Sequence, residues 1–322
     1  MSDVAELTPE AFPGFERPEE PSRPVRVLRA LWHFLVSKKV GAFALVLCII
    51  ILGLGVLGPY VTPYDKDEVF FKDNPKYDPE SFEKDALQPT ILQRLENPSP
   101  EHPLGTDDLG RDLLTRVLFG AQRSMQFGFG AAFLSTVLGA LIGIISGYFG
   151  GLIDLVFQRI VDAMIAIPGL LFLLLLVQTG ETTVLRVIIA LSFLGAFGVS
   201  RVVRSATLTI RTSVFIEAAR VVGVRPPRII FRHILPNVMA PIIVIFSITI
   251  GSSILAEAGL SFLNLGAPGP SWGQMVNTGR QFFDTNPVMS LVGGGAITLT
   301  VLAFNIFGDA LRDVLDPRLR GA

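Results

Sequence analysis

Residues 212–237 read TSVFIEAARVVGVRPPRIIFRHILPN, a polar and arginine-rich stretch between two long apolar runs. Good helix formers before Gly223 predict a short helix, and Gly223 can take the left-handed backbone conformation that ends one. Pro226 and Pro227 favour the first turn of a second helix, where a missing N–H costs nothing. Pro236 favours the start of a third, long helix for the same reason. The stretch therefore predicts two short helices and a bend.

The first short helix has a nearly bare surface, because Ala218 and Ala219 stand beside the charge of Glu217. A bare helical surface lets a partner chain approach closely. A short amphipathic loop without a partner is the alternative interpretation, since Glu-Ala-Ala is a common string in helices. The glycine that follows and the spaced pair Leu235-Pro236 favour the partner interpretation.

The stretch resembles the "EAA" signature of the membrane subunits of ABC importers, which shares its Glu-Ala-Ala, its glycine and its Leu-Pro at this spacing. His233 departs from the aliphatic residue of the general signature, but RHILPN (232–237) is similar to the peptide-permease branch. The resemblance implies that the loop 204–237 holds a cytoplasmic coupling helix, seated in a groove of an ATP-hydrolysing subunit. The residues expected to make that contact are Glu217, Ala218, Ala219, Arg220, Gly223, Val224, Arg225 and Pro226.

Three further strings resemble the same branch. GTDDLGRD, at 105–112, is similar to a string that precedes the second span of peptide and nickel permeases. LSFLNLG, at 260–266, is similar to LSFLGLG, with Asn264 in place of the first glycine. FNIFGDALRDVLDPRLR occupies 304–320. The resemblance covers residues 102 to 320, and it implies the second, C-type permease of a pair with the type I importer fold.

The composition is that of a protein that crosses a membrane several times. Of 322 residues, 50% are hydrophobic and 17% are charged, and the mean hydropathy is +0.54, which is unlike a soluble domain. The net charge of -1 gives no basis for nucleic-acid binding. The single cysteine, Cys48, excludes a disulfide or a Cys-rich metal site within the chain. The acidic N-terminus lacks the apolar core of a signal peptide, so the first apolar run is expected to remain as an anchor.

Six apolar runs have the roughly 20 residues that a helix needs to cross the hydrocarbon core. They cover about 40–61, 126–149, 160–178, 184–203, 238–258 and 288–308. The sequence therefore predicts an all-α membrane protein with six transmembrane helices embedded in a lipid bilayer. The third run contains Asp162 and Pro168, and we expect Asp162 to lie near the end of its span and to pair there, beside Arg159.

The distribution of basic residues predicts the orientation. Residues 1–24 are rich in Pro and Glu and predict a disordered cytoplasmic tail. Residues 25–39 predict a basic, interfacial amphipathic helix. The loop 204–237 is rich in arginine, whereas the short loop near 179–183 has neither Lys nor Arg. The positive-inside rule then places both termini and the loop 204–237 in the cytoplasm, with 125–322 as the permease core.

The loop between the first two spans, residues 62–124, is expected on the extracytoplasmic side and to end in an amphipathic surface helix. The apolar face of that helix comprises Leu113, Leu114, Val117 and Leu118. Three aspartates lie at the start of that helix: Asp107, Asp108 and Asp112. One interpretation is that they form a cation site. Capping of the helix and pairing with nearby arginines is the preferred one.

Two features of the spans have both a packing and a transport interpretation. Ser135, Gly139, Gly143 and Gly147 are four residues apart and line one helix face. Small residues so placed let helix backbones approach closely, which we prefer to a role in a translocation path. Glu257 is either a charge that faces a substrate or, as we prefer, a group packed or paired at a helix end.

The sequence argues against catalysis by this chain. A P-loop requires Gly-Lys-Ser/Thr after its glycines, and the chain has no Gly-Lys pair, so ATP and Mg²⁺ would be bound by partner subunits and no cofactor by this one. His33, His102 and His233 lie outside the apolar runs, which leaves an intramembrane serine or zinc protease without its base or ligands. The spans also carry few of the ionisable groups that ion-driven carriers use.

The resemblance implies a non-catalytic permease subunit of an ATP-driven, binding-protein-dependent importer in the bacterial inner membrane. Its partners would be a similar but distinct permease, two ATP-binding subunits and an extracytoplasmic solute-binding protein. Peptides are the expected cargo, with nickel, glutathione or oligosaccharides as alternatives. Outside this class, a channel or secondary carrier that needs no ATPase and a membrane scaffold without a transport role both stay open.

Overall fold

The apolar runs fold as helices, because a backbone in hydrocarbon must satisfy its own N–H and C=O groups. A computed structural model describes residues 39–77, 88–178 and 180–315. In chain order the helices are α1 (Lys39–Val61), α2 (Leu113–Phe149), α3 (Gly151–Ala166), α4 (Gly169–Gln178), α5 (Val184–Arg211), α6 (Val214–Val221), α7 (Pro226–Ile229), α8 (Leu235–Phe262), α9 (Trp272–Gly279) and α10 (Val288–Leu315). Two short strands, β1 (Phe71–Asp73) and β2 (Thr90–Leu92), pair antiparallel with Lys72 opposite Ile91.

Within the described residues, five helical segments are long and apolar enough to cross a membrane: α1, α2, α5, α10 and the run Pro226–Phe262 that joins α7 to α8. Helices α3 and α4 form a bent pair that makes a sixth if it is counted as one span. The expectation of an all-α membrane protein is confirmed, with the small β-pair as an addition. The expected tail (1–24) and interfacial helix (25–39) lie outside the described residues, apart from Lys39.

Helices α2 and α5 pack with their backbones almost in contact. A Cβ added at Gly139 would lie 2.7 Å from the carbonyl oxygen of Ala196, and one added at Gly143 would lie 2.6 Å from that of Ser200. Backbone atoms cannot move aside as a flexible side chain can, so these positions require glycine. The packing interpretation of the glycine series is confirmed.

The prediction of a separate amphipathic surface helix at the end of the loop 62–124 is wrong, because these residues are the first turns of α2. Helix α2 begins at Leu113 and continues without a break to Phe149. The reason lies in its apolar face, which packs on other helices instead of facing a membrane surface. Leu113 is 1% exposed in a cluster with Trp272 of α9, and Leu118 lies against Gly58 of α1.

The third expected span, 160–178, is not a straight helix. Helix α3 ends at Ala166, Ile167 is extended with φ -76° and ψ 126°, and α4 begins after Pro168. A residue before proline is pushed out of the helical region, which accounts for the break. The two helices make an angle of 86°. Asp162 lies on α3 and forms its ion pair across to Arg201 of α5, at 2.5 Å, instead of to Arg159.

Candidate functional site

The predicted bend of the stretch 212–237 forms from purely local interactions. Helix α6 ends at a glycine with φ +80°, as Gly223 was expected to provide. The Val224 N–H donates to the Ala219 carbonyl at 3.0 Å, and the Gly223 N–H donates to that of Arg220 at 2.9 Å. These two bonds are the Schellman arrangement, which closes a helix by a left-handed residue.

The second half of the stretch begins at Pro226, the first residue of α7, where a proline lacks nothing that the helix needs. A π-helical turn, Ile230–Ile234, then joins α7 to α8. The Leu235 N–H donates to the Ile230 carbonyl, a spacing of five residues. Pro236 follows at once, and a proline clashes with the carbonyl four residues before it, so the wider turn makes room for that ring. The region 212–234, called the basic loop below, is therefore folded throughout.

Three isoleucines anchor the basic loop to the helix bundle. Ile216, Ile229 and Ile234 are each 0% exposed. They pack in one cluster with Val203 of α5 and Val238 of α8. Each fully buried side chain contributes about 1.5–3 kcal/mol relative to exposure. The loop therefore cannot move without moving the ends of the helices beneath it.

The opposite face of the basic loop is open. Most of the residues expected to contact a partner are exposed: Glu217, Ala218, Arg220, Gly223, Arg225 and Pro226. Ala219 and Val224 are half-buried instead and pack inward with the isoleucines. Two large apolar side chains stand beside the exposed charges, Val221 at 88% and Val222 at 82% exposed. The face combines apolar tips with charge, as a docking surface does.

A tyrosine that the sequence analysis did not single out supports this face from below. The Arg220 guanidinium lies 5.1 Å from the ring centre of Tyr148, near the end of α2. Tyr148 is 6% exposed and belongs to the isoleucine cluster. A cation over an aromatic face contributes about 0.5–1 kcal/mol. The sequence signal that could have indicated Tyr148 was its position directly after Gly147, the last residue of the glycine series.

The other end of the bundle holds a cluster of buried charges, called the acidic corner (residues 102–116). Asp107 is 0% exposed and accepts from the Arg111 side chain at 2.7 Å, and Arg116 lies 3.3 Å from it. Asp112 caps α2 by accepting from the Thr115 N–H at 2.7 Å, and its other oxygen contacts His102 at 3.0 Å. Capping and pairing, the preferred interpretation of these aspartates, is confirmed.

Glu257 is also held inside the protein. It is 1% exposed and accepts hydrogen bonds from Ser261 at 2.6 Å and from Ser271 at 3.2 Å. The Ser261 bond lies within α8, and the Ser271 bond fastens the end of α8 to the start of α9. The preference for packing at a helix end over a charge facing a substrate is confirmed.

Open cavities lie at two places among the described residues that bear on transport. One of about 680 Å³ lies between Glu181–Thr183 and the loop after α8, where Asn264 lines it. The other, of about 970 Å³, lies between α5, α8 and α10 and is lined by Arg201 and Arg312. Among the described residues, no group of three His, Cys, Asp or Glu side chains is placed to hold a metal ion.

The helices are long and apolar enough to cross a membrane several times, which defines a polytopic membrane protein. The basic loop is fixed to these helices and is exposed on one face, where a second protein can bind. The family model for the binding-protein-dependent transport system inner membrane component matches residues 139–321, and the chain belongs to this family, the permease subunits of ABC importers. The EAA motif and the coupling helix are features of the family. ATP hydrolysis in such importers resides in separate subunits.

Two relatives match nearly the whole chain. The dipeptide transport system permease protein DppC of Alkalihalophilus pseudofirmus is 36% identical over 316 residues, 98% of this chain and 97% of that protein. The glutathione transport system permease protein GsiD of Pectobacterium atrosepticum is 35% identical over 294 residues, 91% of each. The similarity therefore includes the first helix and the acidic corner, which precede the matched family region.

Solved structures share the fold of the core. An inward-facing conformation of the MetNI methionine ABC transporter matches with a TM-score of 0.52 and 23% identity, over 63% of this chain and 96% of that one. Family membership implies a multi-pass protein of the bacterial inner membrane, with partner ATPases, a binding protein and a paired permease.

Proposed function

We propose that this chain is one of two distinct permeases that together form the path of a peptide importer, and that its basic loop receives the movement of the ATPases. The observation that carries the proposal is the construction of α6. Its charged and apolar tips are exposed, while Ile216 on the same helix is fully buried. A force applied at the tips therefore reaches the bundle directly.

In this proposal Glu217, Ala218, Arg220, Gly223, Arg225 and Pro226 contact an ATPase subunit, and Ala219 and Val224 hold the shape of the contact from inside. The basic loop and both termini lie in the cytoplasm, and the acidic corner lies outside, facing the binding protein. The arginines of the loop support this orientation by the positive-inside rule. ATP and Mg²⁺ bind to the partner subunits. Nucleotide binds the inward-open and outward-open states of the assembled importer with different affinity, and in this way it shifts the permease between those states.

Short peptides are the proposed cargo. The names of the two relatives support this, since one carries dipeptides and the other glutathione, which is itself a small peptide. Nickel and oligosaccharides are the alternatives. A competition assay of uptake with dipeptides, glutathione, nickel and an oligosaccharide, run in vesicles with the binding protein encoded beside this chain, separates them.

Two substitutions test the coupling role in the importer reconstituted with its ATPases and binding protein. Gly223→Pro cannot adopt the observed φ of +80°, and Glu217→Lys reverses the charge at the open face. Both are expected to reduce the ATP hydrolysis stimulated by dipeptide-loaded binding protein to the unstimulated rate, while the chain still inserts in the membrane. Asp309→Lys is the control, because it makes the same charge change at an exposed position on α10. Normal stimulation in the first two variants would refute the coupling role.

The rival functions predict different results. Solute movement by this chain without any ATPase would favour a channel or secondary carrier. Unchanged uptake in the Glu217→Lys variant, in cells without a redundant importer, would favour a scaffold. Orientation is tested with Cys48→Ser combined with Val222→Cys in cells that lack the ATPase subunits, so that nothing covers the new cysteine. A maleimide that cannot cross membranes is expected to label it in inverted vesicles only, and labelling of intact cells would overturn the proposal.

A further inference from the structure

A row of arginines on α5 holds the bent helix pair. Arg204 donates from Nε and Nη2 to the two carboxylate oxygens of Asp154, each at 2.5 Å. Arg201, one turn earlier, pairs with Asp162 at 2.5 Å. Both aspartates lie on α3, and the forked pair of Arg204 fixes direction as well as distance. Helix α3 is thus tied to α5 at two points along its length.

The same helix α5 leads straight into the basic loop. Arg211 is its last residue, seven positions after Arg204 and so on the same face. The Arg211 guanidinium donates to the Gly147 carbonyl at 3.3 Å, at the end of α2. Arg220 of the loop lies over Tyr148, the next residue. The loop, the end of α2 and the start of α3 therefore meet at one corner.

That corner is built on two consecutive glycines with positive φ. Gly150 has φ +66° and Gly151 has φ +55°. A Cβ added at Gly150 would collide with the Arg211 guanidinium, whereas one added at Gly151 meets nothing within 4 Å among the described residues. Positive φ is costly for residues other than glycine, and the combination of φ +66° with ψ -160° at Gly150 is open essentially to glycine alone. The direction in which α3 leaves α2 depends on this turn.

Helix α3 has few other attachments. Val161 is the one buried residue of α3, all of which is described. In contrast, the neighbouring α2 and α5 bury their glycine-lined faces against each other. Within this chain, so little buried surface lets α3 change its angle without disturbing the chain's own core.

We propose that Asp154 and Arg204 are positioning residues that carry the movement of the basic loop to the bent helices α3 and α4, with the turn at Gly150 and Gly151 as the pivot. This rests on the proposed function of the loop as the ATPase contact. When the loop tilts, α5 moves with it through the buried isoleucines. The forked ion pair then swings α3, and α4 with it. Transport requires this swing, but ATP hydrolysis does not.

The test measures the swing itself in the reconstituted importer. Spin labels are placed on cysteines at Leu155 of α3 and Leu302 of α10, both half-exposed, in a Cys48→Ser background. The distance between them is measured without nucleotide and with ATP plus vanadate, beside ATP hydrolysis and uptake of a labelled dipeptide. The parent is expected to show a nucleotide-dependent change of distance. Asp154→Asn and Arg204→Gln are each expected to lose most of that change and most uptake, with ATP hydrolysis retained.

A charge-swapped double variant separates positioning from a merely structural role. Asp154→Arg with Arg204→Asp restores the attraction in reverse and is expected to recover the distance change. Gly151→Ala strains the pivot and is expected to reduce the change, whereas Gly198→Ala, which has ordinary φ and space around it, is expected to leave it intact.

The proposal is overturned by a full distance change in both single variants, or by the absence of any change in the parent. If the swapped pair fails to recover the distance change, the ion pair between Asp154 and Arg204 is only a structural contact, and the proposal is overturned as well. Glu217→Lys distinguishes the two proposals. If it removes the change while Asp154→Asn does not, the relay fails and the loop contact stands. If it leaves the change intact, the loop contact itself fails.

Discussion

Charged side chains are buried at one end of the helix bundle and exposed at the other. In the acidic corner, Asp107, Asp112 and Arg116 are at most 4% exposed and pair within the chain. In the basic loop, Glu217 and Arg220 are exposed, and the apolar tips beside them are exposed too. The acidic corner buries charged side chains, which proteins normally expose, and the basic loop exposes valine side chains, which proteins normally bury.

The difference follows from where each region finds its partners. A buried charge loses its hydration and is tolerated only when an opposite charge and hydrogen bonds replace it. The corner contains those groups itself, so it folds as a rigid cap on the start of α2. The basic loop buries only what anchors it and leaves the rest for a second protein. Changes in the corner should therefore alter folding, and changes at the loop tips should alter association.

Asp107→Ala is expected to have the largest effect on stability. It removes the carboxylate that lies 3.3 Å from the buried Arg116 and leaves that side chain with the exposed Asp67, at 3.8 Å. Breaking a buried ion pair costs about 3–5 kcal/mol. The free energy of unfolding of the purified chain in detergent measures this. Asp108→Ala, at a more exposed neighbour, should change it by less than about 0.5 kcal/mol. Equal effects of the two would mean that the corner is not a specific cluster.

Gly223→Ala should have an intermediate effect. A left-handed conformation costs about 1–2 kcal/mol in a residue with a Cβ, and no described atom lies within 4 Å to add a clash. Gly198→Ala is matched in space but has ordinary φ in helix α5, so there alanine should stabilise by about 0.5–1 kcal/mol. The same unfolding measurement compares them. Effects of the same sign would contradict the conformational explanation.

Val222→Asp should have the smallest effect on stability, below about 0.5 kcal/mol, because the side chain is 82% exposed. It should nevertheless weaken binding of the ATPase subunit by about 1 kcal/mol or more, as loss of an interface anchor does. Titration of the purified ATPase measures the affinity. Leu109→Asp, in the acidic corner, is the control and should leave that affinity unchanged. An unaltered affinity in the Val222 variant would show that the tips are not in the contact.

The features predicted well are those whose causes lie nearby in the chain. The left-handed glycine after α6 and the proline at the start of α7 are examples, since each depends on a few adjacent residues. The start of α2 was not predicted, because residues 113–118 have the amphipathic pattern of a surface helix. Their apolar side actually meets Trp272, more than 150 positions away, whose indole N–H donates to the Val117 carbonyl at 3.0 Å.

The candidate site shows the same division. Six of its eight predicted residues are exposed, and the other two face inward, because only packing decides which side of a short helix meets the bundle. Tyr148 and the Asp154–Arg204 pair were missed, since they join segments 50 or more residues apart. No periodicity in the chain indicates such contacts.

The amino-acid sequence alone determined the class of this protein, the approximate positions of most of its apolar helices and the conformation of the basic loop. These depend on transfer of apolar runs out of water and on the backbone preferences of single glycines and prolines, and both act over a few residues. The tertiary structure alone decided which charges are hidden, which are open to a partner, and how the bent helices are held. Desolvation and ion pairing depend on what packs against a group, and those neighbours come from distant parts of the chain.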